Sequence, residues 1–339
     1  MPDPAAKNPV ASIIARLKNE GAALGLTPEQ LRVMPLQMAY AHQGFLARLD
    51  ASRHAERFVV KGGASLFARY RALGRPTRDL DLASAGPAAS LEEIRGWVEE
   101  ICDQPFGDHL TFPTDQVQVK VLTPDSAAHP VTAVRLTAYL GGSRQIVDLD
   151  LSFGSVIHPG VCLMTYPRLV IPQAVRMRVY PLEQIIAEKF AAMVELNVAN
   201  TRMKDFHDLW QIARHDPPSP LPGEGARDMS AHDLSEAMRR SFEARCTPLA
   251  DLSLVLSPAF GQDTELVGQW SRYCRKANWT NLPGFEEIMG VIRAFPGKVA
   301  QNLPGRMAGR WAPDTLTWRP EEESCPDLEP FRQISKDGE

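Results

Sequence analysis

The chain has 339 residues, 44% of them apolar and 23% charged, with a net charge of −4. That length allows two or three domains around a sizeable core, and the near-neutral balance excludes a protein that merely coats nucleic acid with a basic surface. No apolar run is long enough to span a bilayer. The N-terminus lacks the apolar core of a secretory signal. The five scattered cysteines, without CxxC spacing, argue against zinc or a disulfide framework and for a reducing cytoplasm.

Residues 1–55 are predicted to form N-terminal helices. TPEQL marks a helix start, with Thr27 as N-cap and Pro28 at the first helical position. The pattern then changes. FVVKGG is a short apolar strand ending in Gly62 and Gly63, SLFARYRAL a short helix, and DLDLAS an alternating strand. SLEEIRGWVEEICD is an amphipathic helix with Ser90 and Glu93 at capping-box positions. QVQVKVL, TAVRLTAYL and RQIVDLDLSFG are further strands, so residues 56–175 form a mixed α/β core. Residues 176–311 read as a helical lobe, led by PLEQIIAEKFAAMVELN and RMKDFHDLWQIARH and continued by SAHDLSEAMRRSFEARC and PGFEEIMGVIRAF. Residues 215–228 are a turn-rich loop within that lobe, and the proline-rich, acidic stretch 312–339 is predicted to be an extended tail. The fold class is α+β: a mixed sheet with helices, plus a helical C-terminal lobe.

Several residues in this frame have chemistry to offer. Gly62 and Gly63 would let backbone N–H groups at a helix start approach a phosphate, with Ser65 adding a hydroxyl, although a tight strand-to-helix turn needs the same glycines. Asp79 and Asp81, two apart on a strand, share one face, while Leu80 and Leu82 face the core. Two such carboxylates repel unless a cation lies between them, and Mg²⁺ suits the pair; strands with this pattern also occur without a metal. Asp148 and Asp150 repeat the arrangement, and spacing leaves open which of them would complete a three-carboxylate site. Lys189 falls inside the apolar stripe of its helix. It either snorkels to the edge or emerges into a cleft against an anion. Asp205 lies at the margin of the next helix's apolar side. It and Asp208 have a pairing with Arg202 or a neighbouring helix as the structural alternative, and His207 reads as structural. Arg69, Arg71, Arg75 and Arg78 cluster near the glycines, as solvated charges or a local basic surface.

Taken in order, KGGASL, GRPTRDLDL, VDLDLSFG, AEKF and RMKDFHDLW resemble the motif series of the AbiEii-type nucleotidyltransferase toxins. That family includes the MenT group and belongs to the DNA polymerase β-like nucleotidyltransferase superfamily. The resemblance covers roughly residues 56–213. It implies a polymerase β-like nucleotidyltransferase core. The family's glycine motif falls on Gly62 and Gly63 and its metal-binding pair on Asp79 and Asp81. Its third acid most resembles Asp150, because LSFG follows, and its helical lysine and following acid fall on Lys189 and Asp205. Ala64 stands where many relatives have a hydroxyl residue, with Ser65 one later, and Ser155 stands where many have aspartate. The resemblance implies transfer of a nucleotide from an NTP with Mg²⁺, or Mn²⁺ in its place, in a bacterial toxin–antitoxin or phage-defence module. The acceptor would be RNA, as with the tRNA 3′ end for MenT-like members, and translation would be blocked. The implied partners are the NTP, the tRNA and a cognate antitoxin encoded nearby, with no membrane. Two alternatives keep part of this reading: an acceptor that is a protein hydroxyl or small molecule, or a non-catalytic NTP-binding protein.

Overall fold

The computed structural model describes residues 9–320 apart from 25, 34, 72–74, 76, 124–130, 172, 216–228, 278, 280–281, 304 and 306. Three helices lead the chain: α1 (Pro9–Ala23), α2 (Pro28–Val33) and α3 (Leu36–Ala51). The strand β1 (Val59–Lys61) runs straight into α4 (Gly62–Tyr70), which is followed by β2 (Asp79–Ser84) and α5 (Leu91–Cys102). Ser90 and Glu93 exchange both bonds of the capping box that starts α5, as the sequence predicts. Then come β3 (Leu110–Thr111), β4 (Gln118–Val121), β5 (Val131–Leu140), β6 (Ser143–Phe153), β7 (Cys162–Thr165) and β8 (Arg176–Val179).

These strands make one mixed sheet in the order β3-β5-β6-β2-β1-β8-β7, with β4 also paired to β5. At its centre β2 runs parallel to β6 and antiparallel to β1. Because β8 pairs with β1, the sheet continues past residue 175, the predicted end of the core. The strands β3, β7 and β8 hold only two to four residues each, too few for alternation to mark them in sequence.

The period-two geometry of strands sorts the side chains. Leu80, Leu82, Val147, Leu149 and Leu151 point to one face and pack with Phe45, Leu46, Ile94 and Val98 of α3 and α5. The opposite face is apolar at one end only, where Val59 and Ala83 join a second core with Tyr180, Ile186 and Phe190. Its other end carries the carboxylates.

The helical lobe comprises α6 (Leu182–Leu196), α7 (Met203–Arg214), α8 (Ala231–Arg245), α9 (Leu252–Val255), α10 (Pro258–Gly261), α11 (Thr264–Ala277), α12 (Phe285–Ile292) and α13 (Lys298–Gln301). The sequence reading did not place α11, although Leu266 and Trp270 bury one side of it. It also predicted an extended tail from residue 312, but β9 (Arg310–Ala312) and β10 (Thr317–Arg319) form a hairpin there. The indoles explain the difference: Trp311 and Trp318 have ring centroids 4.5 and 5.8 Å from Phe295 and anchor the hairpin to the lobe. The rest of the predicted tail, 321–339, and loop residues 216–228 lie outside the described residues. Among those described, no helix is long and apolar enough to cross a membrane.

A buried ion pair fixes α3 to the strand region. Arg48 donates to Asp108 at 2.6 and 3.0 Å, and also to the carbonyls of Gly44 and Leu110. Replacing Asp108 by Ala strands a buried guanidinium, and denaturant unfolding is expected to show a loss of about 3–5 kcal/mol. Removing the solvent-exposed partner of Glu100, Arg53, is expected to change the same curve little.

Candidate active site

The site begins where β1 becomes α4. Gly62 adopts φ +58°, and a Cβ there would overlap the Asp81 carboxylate. A Cβ on Gly63 would stand 2.6 Å from Thr77 Oγ1. The two glycines therefore let the first turn of α4 press directly against β2 and the segment leading into it. Ser65, expected to face a phosphate, turns inward instead. It is fully buried and donates to the Gly62 carbonyl at 3.0 Å, within its own helical turn.

The parallel register of β2 and β6 sets Asp79 beside Asp148 and Asp81 beside Asp150. On the far side of β6, Arg135 of β5 stands opposite Asp148 and forks onto it at 2.6 and 3.1 Å. Ala133 stands opposite Asp150. Asp148 is thus neutralised, whereas the carboxylates of Asp79, Asp81 and Asp150 make no hydrogen bond or ion pair among the described residues. Register separates two aspartates that spacing could not.

Burial, then the charge of Asp81, raises the pKa of Asp79. Asp150 is raised by burial, then by Asp81 and Asp79, with Lys204 pulling the other way. The cluster is short of positive charge. Among the described residues, no group of three or more His, Cys, Asp or Glu side chains is placed to hold a metal ion. The donor chemistry nevertheless fits a hard divalent cation: carboxylate oxygens on neighbouring strands, facing one way and without a hydrogen-bonded partner, beside a cleft with room for phosphate and water ligands.

The opposite wall comes from the helical lobe. Lys189 of α6 is buried and donates to Asp205 at 2.6 Å and to Asp208 at 2.8 Å, both on α7. Asp205 also accepts from Arg202 at 2.6 Å, the i−3 pairing the sequence suggested. Asp208 accepts from Arg75 Nε at 2.9 and 3.2 Å and from its Nη2 at 3.1 Å. Burial opposes the charge on Lys189, but Asp205 and Asp208 outweigh it and raise its pKa, so the ammonium persists. Burial likewise opposes both carboxylates. Lys189 and Arg202 nevertheless hold Asp205 far below the usual range, and Arg75 and Lys189 lower Asp208. His207 bonds Tyr273 at 2.8 Å inside the lobe rather than facing the carboxylates.

The walls enclose a cleft of about 1060 Å³, lined by Gly62, Gly63, Asp81 and Asp150 on the sheet side and Lys189, Lys204 and Asp205 on the helical side. Asp79 lies at the exposed margin next to Asp81. Sequence reasoning missed Arg75, Asp208 and Lys204 as members of the site. Arg75 and Asp208 are 133 residues apart, and no local pattern marks them as partners. Lys204 had no signal to distinguish it from an ordinary solvated helix lysine.

A glycine-opened helix, strand carboxylates and a buried lysine across one cleft are the parts expected of a nucleotidyltransferase. The family profile for "Nucleotidyl transferase AbiEii toxin, Type IV TA system" matches residues 44–290, which include every residue of this cleft named above. The chain belongs to the AbiEii nucleotidyltransferase toxin family. Among solved structures, the Helicobacter pylori protein JHP933 aligns at 18% identity over 82% of this chain and 95% of its own, with a TM-score of 0.44. A candidate nucleotidyltransferase of H. pylori aligns at 17% identity over 79% and 96%, with a TM-score of 0.45. No curated protein matches the chain.

Two measurements check this geometry. Gly62→Ala forces a side chain into a left-handed turn and against Asp81, so thermal or denaturant unfolding is expected to show a loss of about 1–3 kcal/mol. The second concerns His42 and His207, whose pKa values burial pushes from 6.5 down to about 4. The unfolded chain takes up these protons from about pH 6.5, the folded one only near pH 4. Stability from these groups is therefore complete above that upper value and falls as pH drops through the lower one. Denaturant titrations between pH 7 and 4 are expected to show a steady decline; a flat profile would contradict the neutral burial of both rings.

Proposed function

We propose that this protein transfers a nucleoside monophosphate from an NTP to an RNA acceptor, with the tRNA 3′ end as the acceptor of choice. It would act as a cytoplasmic toxin in a phage-defence or related toxin–antitoxin module, blocking translation until its antitoxin neutralises it. One observation carries this reading: Asp81 and Asp150, with Asp79 at the margin, lack hydrogen-bonded partners and share one cleft with the buried, charged Lys189 at a glycine-bordered helix start. In this division of labour residues 1–55 brace the sheet, the core from 56 holds metal and nucleotide, the lobe up to 311 supplies the cationic wall, and 312–339 follow it.

Asp79, Asp81 and Asp150 would hold Mg²⁺, or Mn²⁺, whose chemistry when bound is to neutralise the triphosphate and ease departure of pyrophosphate. Gly62 and Gly63 let the phosphates approach the free N–H groups of α4. Lys189 has three N–H donors and commits two of them to Asp205 and Asp208, leaving one for a phosphate oxygen. Asp205 keeps that lysine charged and aimed. Asp150, with its raised pKa, takes the proton of the acceptor hydroxyl. The acceptor oxygen bonds to the α-phosphorus, the bond to the bridging oxygen breaks, and pyrophosphate leaves.

The test is incubation with each labelled NTP, Mg²⁺ and total tRNA. Label is expected in tRNA, reduced about 100-fold or more by Asp81→Ala and by Asp150→Ala. Asp148→Asn is expected to cost less than about tenfold, because Arg135 already occupies that carboxylate. Label in protein or small-molecule fractions instead would transfer the reading to another acceptor. No label with any NTP, with wild type matching Asp81→Ala, would refute nucleotidyl transfer.

A further inference from the structure

The buried cations of the cleft are not equally committed. Arg75 lines the cleft and lies in the connection between α4 and β2. A guanidinium has five N–H donors in a rigid fork. The Nε–H and one N–H of Nη2 are spent on Asp208. Nη1 makes no hydrogen bond among the described residues. Its position is defined by the glycine beside it: a Cβ built on Gly63 would stand 3.2 Å from Nη1. The free end of the guanidinium thus lies over the first turn of α4, and its other edge is held by Asp208.

A tie between the sheet and the helical lobe requires only the Nε and Nη2 edge. A side chain 13% exposed that leaves a whole NH₂ group without a protein partner keeps those donors for bonds from outside the protein. A ligand oxygen at the α4 start would supply them. Charge points the same way. Arg75, Lys189 and Arg202 meet only two carboxylates, Asp205 and Asp208, so the network retains positive charge toward the cleft. Asp208 lies between Lys189 and Arg75 and aims both.

We propose that Arg75 is a further phosphate-binding residue, donating from Nη1 to the terminal phosphates of the nucleotide, and that Asp208 is its positioning residue. The inference rests on the nucleotidyltransfer reading above. Arg75 shares Asp208 with Lys189, so its donors are assigned, with those of Lys189, to the leaving pyrophosphate rather than to the transferred monophosphate. Lysine could keep the charge opposite Asp208 but could not hold a second, rigid donor toward Gly63.

The experiment is titration of an NTP and the matching NMP, without acceptor, into wild type, Arg75→Lys and Asp208→Asn, alongside melting temperatures. Arg75→Lys is expected to weaken NTP binding about tenfold while moving NMP binding less than about twofold. Asp208→Asn is expected to follow the same pattern. A merely structural arginine would shift the melting temperature and both ligands together. An Arg75→Lys protein that keeps the wild-type preference for NTP over NMP overturns the proposal while leaving nucleotidyl transfer standing. A wild type that binds no NTP refutes the underlying reading instead. A crystal structure of wild type with a non-hydrolysable NTP decides the question however the variants fold. A phosphate oxygen about 3 Å from Nη1 supports the assignment, and one beyond about 5 Å overturns it.

Discussion

Two carboxylates one turn apart on α7 hold this molecule's site together. Asp205 and Asp208 accept from Lys189 on α6, from Arg202 at the head of their own helix, and from Arg75 in the connection between α4 and β2. Each charge in the group is costly to bury alone, and each is tolerable because its neighbours are present. The ion network ties the connection between α4 and β2 to the helical lobe across the cleft. It also keeps Lys189 protonated despite burial, since its carboxylate partners outweigh the loss of water.

Across the cleft the logic is reversed. Asp79, Asp81 and Asp150 are left without hydrogen-bonded partners, and Asp79 and Asp150 have raised pKa values because loss of water, then the charges of neighbouring aspartates, disfavours ionisation. Carboxylates without hydrogen-bonded partners on the sheet face an ion network on the helices whose lysine stays charged. On the function proposed above, the carboxylates would answer a divalent cation and Lys189 the phosphates of a triphosphate. The backbone enforces the separation through the β2–β6 register, which pairs Asp148 with an arginine strand neighbour and Asp150 with an alanine.

Much of this was legible locally. Alternation in DLDLAS and VDLDLSF told which side chains share a face, and the interruption of an apolar helix stripe singled out Lys189. The capping box at Ser90 was readable for the same reason, since its bonds span three residues. Ser65 was misjudged because spacing in a helix start does not say which way a hydroxyl turns, and here the nearest acceptor is the carbonyl of its own turn. The terminal hairpin was missed because its stability comes from indoles packing on Phe295, a contact between distant residues.

The sequence by itself determined the longer strands and most of the longer helices, the order of the motifs and the face on which each strand acid projects, because helix and strand periodicities are short-range properties of the backbone. Only the tertiary structure decided which charges are satisfied. Whether Asp148 or Asp150 stays free, which cations Asp208 pairs with, and which end of Arg75 is spent depend on partners brought from distant parts of the chain. Electrostatics acts through space, and burial sets its strength. No local pattern carries that information until the sheet and the helical lobe have come together.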